Sequence, residues 1–200
     1  MPKVGMEPIR RRELIDATIA SISAHGFADT TIAKISKAAG VSSGIIHHYF
    51  GGKNELLEAT MRSLLRQLRA EVVARLHAAQ TPEQRLAAIV DGNFSADQFD
   101  MQVVNSWLAF WAQVPHVPEL ARLQRMNAAR LQSNLRHALR QLLPTNEAER
   151  AAFGLAALIE GLWLRCALNG RIDRASAATA AHDYVSRLLG APHPLEKNTP

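Results

Sequence analysis

The chain has one cysteine, Cys166, among its 200 residues. That excludes an intrachain disulfide and any multi-cysteine metal cluster, and suits a reducing, cytoplasmic compartment. There is no unbroken apolar run of the ~18 residues that span a bilayer. The opening "MPKVGMEPIRRREL" lacks the apolar core of a secretory leader, so no membrane partner is expected. No segment alternates apolar and polar residues with the period of a half-buried strand. Acid is missing too: from Thr30 to Asn54 there is no Asp or Glu.

What is present is helical patterning. Apolar residues recur at helical spacing along Leu14, Thr18, Ile19 and Ile22. They recur again along Leu56, Met61, Leu64, Leu65, Leu68, Val72 and Leu76. Helix-breaking residues fall at Gly26, Gly40, Gly51-Gly52, Pro82, Pro115, Pro118, Pro144 and Gly170. The spacing predicts an all-α chain of about nine helices, near residues 9–25, 32–38, 43–49, 53–78, 83–95, 98–113, 117–142, 147–168 and 173–189. The first three are short and the fourth long. A small N-terminal domain of residues 1–53 is therefore expected ahead of a larger helical body of residues 54–200, with a Pro-rich frayed tail after Gly190.

The acid-free window gives the N-terminal domain its chemistry. Residues 1–78 carry 11 Lys and Arg against 7 Asp and Glu, while the remainder is close to balanced. Basic charge confined to one part of a chain points to a polyanion. Within the window, "GVSSGIIHHYFGGK" (residues 40–53) sets small and hydroxyl residues beside an apolar core of Ile45, Ile46, Tyr49 and Phe50. Thr30-Thr31 suit the start of a helix carrying Ile32, Ile35 and Ala39 inward and Lys34 and Lys37 outward. Gly40 suits the left-handed turn that closes it, and Ser42 a cap for the next helix.

Helix, tight turn and helix on an apolar underside is the helix-turn-helix plan, whose second helix enters the DNA major groove. A slim outer face at Ser43 and Gly44 permits close approach, and Ser42, His47 and His48 offer donors to phosphate. Thr31 and Lys34 at one helix start, Tyr49, and Lys53 at the opening of the fourth helix complete the expected DNA-binding set. A metal at His47-His48 is disfavoured: neighbouring helical positions diverge by about 100°, and no further ligand stands at metal spacing.

In the body, Trp107, Phe110 and Trp111 share a helical face, and Glu160 precedes Trp163 by three residues in "FGLAALIEGLWLRC". Two readings stand for these residues with Phe94. Such a stripe is the stuff of a helical core, with Glu160 meeting an arginine from elsewhere. The other reading is that a carboxylate among aromatic faces is equipment for a quaternary ammonium ion, which offers no N–H to donate. No nucleophile–base pair, metal triad or phosphate-cradling glycine loop marks an enzyme, and no cofactor is expected. A sequence-indifferent DNA compactor leaves the aromatic body without a purpose.

The segment "TTIAKISKAAGVSSGIIHHYFGGKNELLEA" resembles the DNA-binding head of TetR-family repressors, with Ile46-His47 standing where that family commonly has Leu-Tyr. Further on, "NSWLAFWAQVPHVPELARLQRMNAARLQSNLRHAL" and "LIEGLWLRCALNG" look like the body of the choline-responsive, betaine-pathway branch of that family. The resemblance implies an all-helical homodimer paired through its last two helices. It implies an inverted-repeat operator on double-stranded DNA, control of choline uptake and glycine betaine synthesis, and release by choline or another quaternary ammonium ion. A repressor answering a different cationic or hydrophobic effector, such as a drug-efflux regulator, is the alternative within the family.

Overall fold

The computed structural model describes residues 6–169 and 173–190. The expected frayed tail lies outside them. Among the described residues there are nine α-helices and no strand: α1 (Met6–His25), α2 (Ile32–Ala38), α3 (Ser43–Phe50), α4 (Lys53–Ala78), α5 (Pro82–Asn93), α6 (Met101–Gln113), α7 (Pro118–Leu139), α8 (Thr145–Asn169) and α9 (Arg174–Leu188), with a short 3-10 turn at Ala96–Phe99.

Local chemistry sets most of these limits. Thr81 caps α5 by accepting from the Gln84 amide, and Pro82 occupies the first turn, where its missing N–H costs nothing. Asp100 accepts from the amides of Gln102 at 2.9 Å and Val103 at 3.4 Å, so α6 starts at Met101 instead of near residue 98. The 3-10 turn occupies the space expected to belong to that helix. Likewise α5 stops at Asn93 and α7 at Leu139, each shorter than its apolar pattern implies. Asp173 caps α9 through the Ser176 amide at 2.8 Å, and those hydrogen bonds hold its carboxyl below the usual range.

The chain packs as two compact units that do not follow its order. One runs to Gln67 and adds Asp100–Gln124; the other consists of Leu68–Phe99 and the described residues from Arg125 onward. Helix α4 contributes to both.

In the first unit, α1 buries Leu14, Ile15, Thr18, Ile19 and Ile22, as its periodicity predicts. Helices α2, α3 and α6 pack on it. Asn105 of α6 donates to the Ser23 hydroxyl at 3.0 Å. Leu56, Leu57, Met61, Leu64 and Leu65 supply the buried face of α4 in this unit.

In the second unit α8 and α9 lie together, as do α5 and α9. Ala148, Ala152, Ala177 and Ala181 are fully buried there, and their small side chains allow close helix approach. Gly92 of α5 is tighter still: a Cβ at that position would sit 2.6 Å from Val72 Cγ2 and 2.8 Å from Val72 Cα.

Helix α8 departs from the sequence reading. Within Thr145–Leu168 it holds an 18-residue window long and apolar enough, by length and composition alone, to cross a membrane. Glu160 and Arg165 interrupt it, so it contains no unbroken apolar run of that length. Its apolarity has two faces. Leu155, Ile159, Trp163 and Cys166 are buried. Phe153, Ala157, Gly161, Leu164 and Leu168 form an exposed stripe at helical spacing.

Candidate nucleic-acid interface and effector site

The turn between α2 and α3 is built by backbone hydrogen bonds. Gly40 takes φ 64°, the Val41 amide donates to Ser36 O at 2.9 Å, and the Gly40 amide donates to Lys37 O at 3.2 Å. This paired closure satisfies the last carbonyls of α2 and turns the chain sharply. Thr31 caps α2 by accepting from the Lys34 amide at 3.2 Å. Thr30 does not cap. It is buried, and its hydroxyl donates to Gly26 O at 2.6 Å.

Helix α3 is anchored by Ile46, fully buried, and Phe50, nearly so; Ile45 and Tyr49 are half-buried. Burying each such side chain is worth about 1.5–3 kcal/mol, enough to hold an eight-residue helix that is marginal alone. Arg11 of α1 donates to Tyr49 O and lies over the Phe50 ring, 4.3 Å from its centroid.

Thr31, Lys34, Ser42, Ser43, Gly44, His47 and His48 are exposed, with Tyr49 and Lys53 half-buried. Lys53 Nζ stands 5.8 Å from the centroid of the Phe27 ring.

Three details refine the expected roles. Ser42 occupies the cap position of α3 but makes no capping hydrogen bond, so its hydroxyl stays available to an outside acceptor. Gly44 has no neighbour within the protein that demands a small residue, since an added Cβ would meet only Ser42 Oγ, at 3.8 Å. His47 Nδ1 lies 3.1 Å from Gly51 O. A carbonyl only accepts, so that nitrogen carries the proton, and Nε2 donates to a phosphate only when the ring is an imidazolium.

The six expected effector residues divide between the units. Trp107, Phe110 and Trp111 belong to the first, where Trp107 packs 5.8 Å from Phe110 and 6.1 Å from Trp111, centroid to centroid. Trp107 and Phe110 are buried and Trp111 is half-buried. Phe94, Glu160 and Trp163 belong to the second unit.

Phe99 joins that second group, although it is not among the expected effector residues. It stacks on Phe94 at 6.1 Å and meets Trp163 at 5.8 Å, so three rings run in series. Phe99 closes the 3-10 turn Ala96–Phe99, which begins two residues after Phe94. Glu160 is half-buried one turn before Trp163 and forms no ion pair among the described residues. Burial alone pushes its carboxyl above the usual glutamate range. Among the described residues no group of three or more His, Cys, Asp and Glu is placed to hold a metal.

An exposed, slim helix-turn-helix face on an all-helical body defines a helix-turn-helix regulator. Residues 14–60 match the model for bacterial regulatory proteins of the tetR family, and residues 82–190 match that for the C-terminal part of BetI-type transcriptional repressors. The HTH-type transcriptional regulator BetI of Klebsiella pneumoniae is 51% identical over 195 residues, covering 96% of this chain and 100% of that protein. BetI of Escherichia coli K12 is 51% identical over 192 residues, 94% of this chain and 98% of that one.

Among solved structures, a transcriptional regulator from Pseudomonas aeruginosa PAO1 matches with TM-score 0.75 and 31% identity, over 92% of this chain and 91% of that one. A regulator from Saccharomonospora viridis, solved in complex with choline, matches with TM-score 0.77 over 90% of this chain and 96% of that one. Its identity is 20%, so that likeness speaks for the fold alone. The chain belongs to the TetR family of transcriptional regulators, within its BetI-type repressor branch.

Proposed function

We propose that the protein represses genes for choline uptake and oxidation to glycine betaine. In this reading it binds an inverted-repeat operator as a homodimer and lets go when choline is bound. Residues 1–53 act as the reading head and residues 54–200 as the effector-binding and pairing body.

The observation that carries the DNA-binding half is the outer face of α3. It is exposed from Ser42 to Gly44 and again at His47 and His48, and the smallness of Gly44 answers no need of the protein's own packing. A helix entering the major groove does need it. Thr31, Lys34 and Lys53 flank that face as phosphate contacts, which fix register without reading sequence.

Glu160 supports the effector half. A half-buried carboxylate without a cation among the described residues, beside the Phe94–Phe99–Trp163 series, suits a cation too alkylated to donate hydrogen bonds. Pairing is supported by the exposed stripe on α8, where Phe153 is 67% and Leu168 64% exposed; such apolar faces mark association surfaces. Two recognition helices then reach major grooves about one DNA turn apart, ~34–36 Å, which requires a symmetric operator.

Release follows if choline favours a disposition of the two heads that does not match this spacing. A coupling of about 1–3 kcal/mol weakens DNA binding 5- to 150-fold. Helix α4, which contributes to both units, is the proposed lever. A gel shift on an inverted-repeat operator tests the reading. Retarded DNA should be freed by choline; retention unchanged at millimolar choline would remove the choline assignment, and a monomer in sedimentation would remove the paired operator.

A further inference from the structure

A second polar site lies in the same unit as Glu160 but has the opposite charge. Between the second half of α4, α5 and the middle of α7 there is a cavity of about 40 Å3. Its apolar wall includes Ile89, and its polar lining includes Arg69 from α4 with Asn127, Arg130 and Asn134 from α7. The three α7 residues stand at i, i+3 and i+7, which puts them on one helical face.

Asn93, also in the lining, donates to Ile89 O at 2.8 Å. By contrast, among the described residues Arg69 and Arg130 form no ion pair, and the carboxamides of Asn127 and Asn134 form no hydrogen bond. Arg130, Asn127 and Asn134 are half-buried, while Arg69 is exposed at the rim.

Two guanidiniums and two carboxamides without partners form a concentration of donors. Guanidinium has no acceptor and keeps its charge, so it repels a quaternary ammonium ion and attracts a carboxylate or phosphate, often through two parallel hydrogen bonds. Size limits the choice. A water needs roughly 10–15 Å3 of such space, so the enclosed part of the cavity holds about three or four non-hydrogen atoms, with any further atom lying at the open rim beside Arg69. A ligand held wholly within the cavity is therefore a small one.

We infer that this cavity binds a small oxyanion, of the size of acetate or inorganic phosphate, between Arg69 and Arg130. The anion bridges α4 and α7 by accepting hydrogen bonds from both guanidiniums, and a short methyl or methylene on a carboxylate rests against Ile89. The site is separate from the choline reading and stands or falls without it.

Thermal unfolding of the full chain, titrated at constant ionic strength with acetate and in parallel with inorganic phosphate, tests the site. A ligand that binds only the folded form raises the melting temperature saturably with its concentration. Saturation by acetate at lower concentration than phosphate identifies a carboxylate site; the reverse order identifies a phosphate site, and both support the inference. Arg69→Gln and Arg130→Gln should each raise the half-saturating concentration at least about tenfold, and Arg130→Lys, which keeps charge but loses the fork, should fall between. In ¹H–¹⁵N spectra the side-chain amides of Asn127 and Asn134 should shift with the same midpoint. Absence of saturation with both anions overturns the site, as does saturation undiminished in the two glutamine variants.

Discussion

The Ser43 hydroxyl, at the start of α3, lies 3.1 Å from the Ser36 hydroxyl in α2. Ser36 donates its single proton back to Ile32 O at 2.7 Å, so in this pair Ser43 is the donor and Ser36 the acceptor. The two helices of the reading head are thus tied by a side-chain bond beside the Gly40 turn. Ser43 spends its proton inward, whereas Ser42 keeps its own for an outside partner.

Ser36→Ala should cost about 1 kcal/mol, since it removes a buried hydroxyl with three partners, Ile32 O, Ala33 O and the Ser43 hydroxyl, and lower the melting temperature by roughly 2–4 °C for a chain of this length. Ser43→Ala should cost less, because Ser36 keeps its bond to Ile32. Calorimetry on both variants checks the order; equal losses would mean that the Ser36–Ser43 bond carries the whole effect.

Gly44→Phe should leave the fold intact, because the position is exposed and meets almost nothing. Operator affinity should fall at least about a thousandfold, the lower end of the range that separates specific from non-specific DNA binding. The pair of measurements is the melting curve, expected unchanged, and operator binding at fixed salt, expected lost. Retained affinity would place α3 outside the groove.

Glu160 links stability to pH and, on the proposed function, to effector binding. Its carboxyl is held above the usual range by burial. Below the unfolded chain's glutamate range both states are protonated and the group costs nothing. As pH rises through that range and on to the raised folded value, the unfolded chain ionises first and the folded state loses stability. Glu160→Gln should flatten this part of the pH–stability curve. On the proposed choline site, which needs the carboxylate, affinity should fall as pH drops through the same interval. The glutamine variant should bind choline at least about tenfold more weakly while still retarding operator DNA. Fluorescence titration with choline across pH reads both effects.

Gly92→Ala should destabilise by roughly 1–3 kcal/mol, the range for overpacking, because the new methyl would overlap both Val72 Cγ2 and the α4 backbone at Val72 Cα. Adding Val72→Ala should recover only part of the loss, since the overlap with the α4 backbone remains. A double-mutant cycle by chemical denaturation measures the recovery. Full rescue would mean that the side chain alone carries the clash.

Where the information is local, the amino-acid order was enough. The helical class, the Gly40 turn, the Thr31 cap and the inward faces of α1 and α3 follow from interactions within a turn or two of each residue, which any helix of that composition makes. The reading head was therefore legible almost whole. Its misreadings, Thr30 and Ser42 as side-chain caps, are ones of hydroxyl orientation. Tertiary packing decided what depends on residues far apart in the chain: that Phe99 joins Phe94 to Trp163, that Gly92 is pressed on Val72, and that Asn105 reaches Ser23. It also decided that α5 and α7 stop short of their apolar patterns and that the six aromatic and acidic residues divide between two units. Sequence periodicity says which face of a helix is buried. It does not say what that face is buried against, because that choice belongs to the packing of whole helices.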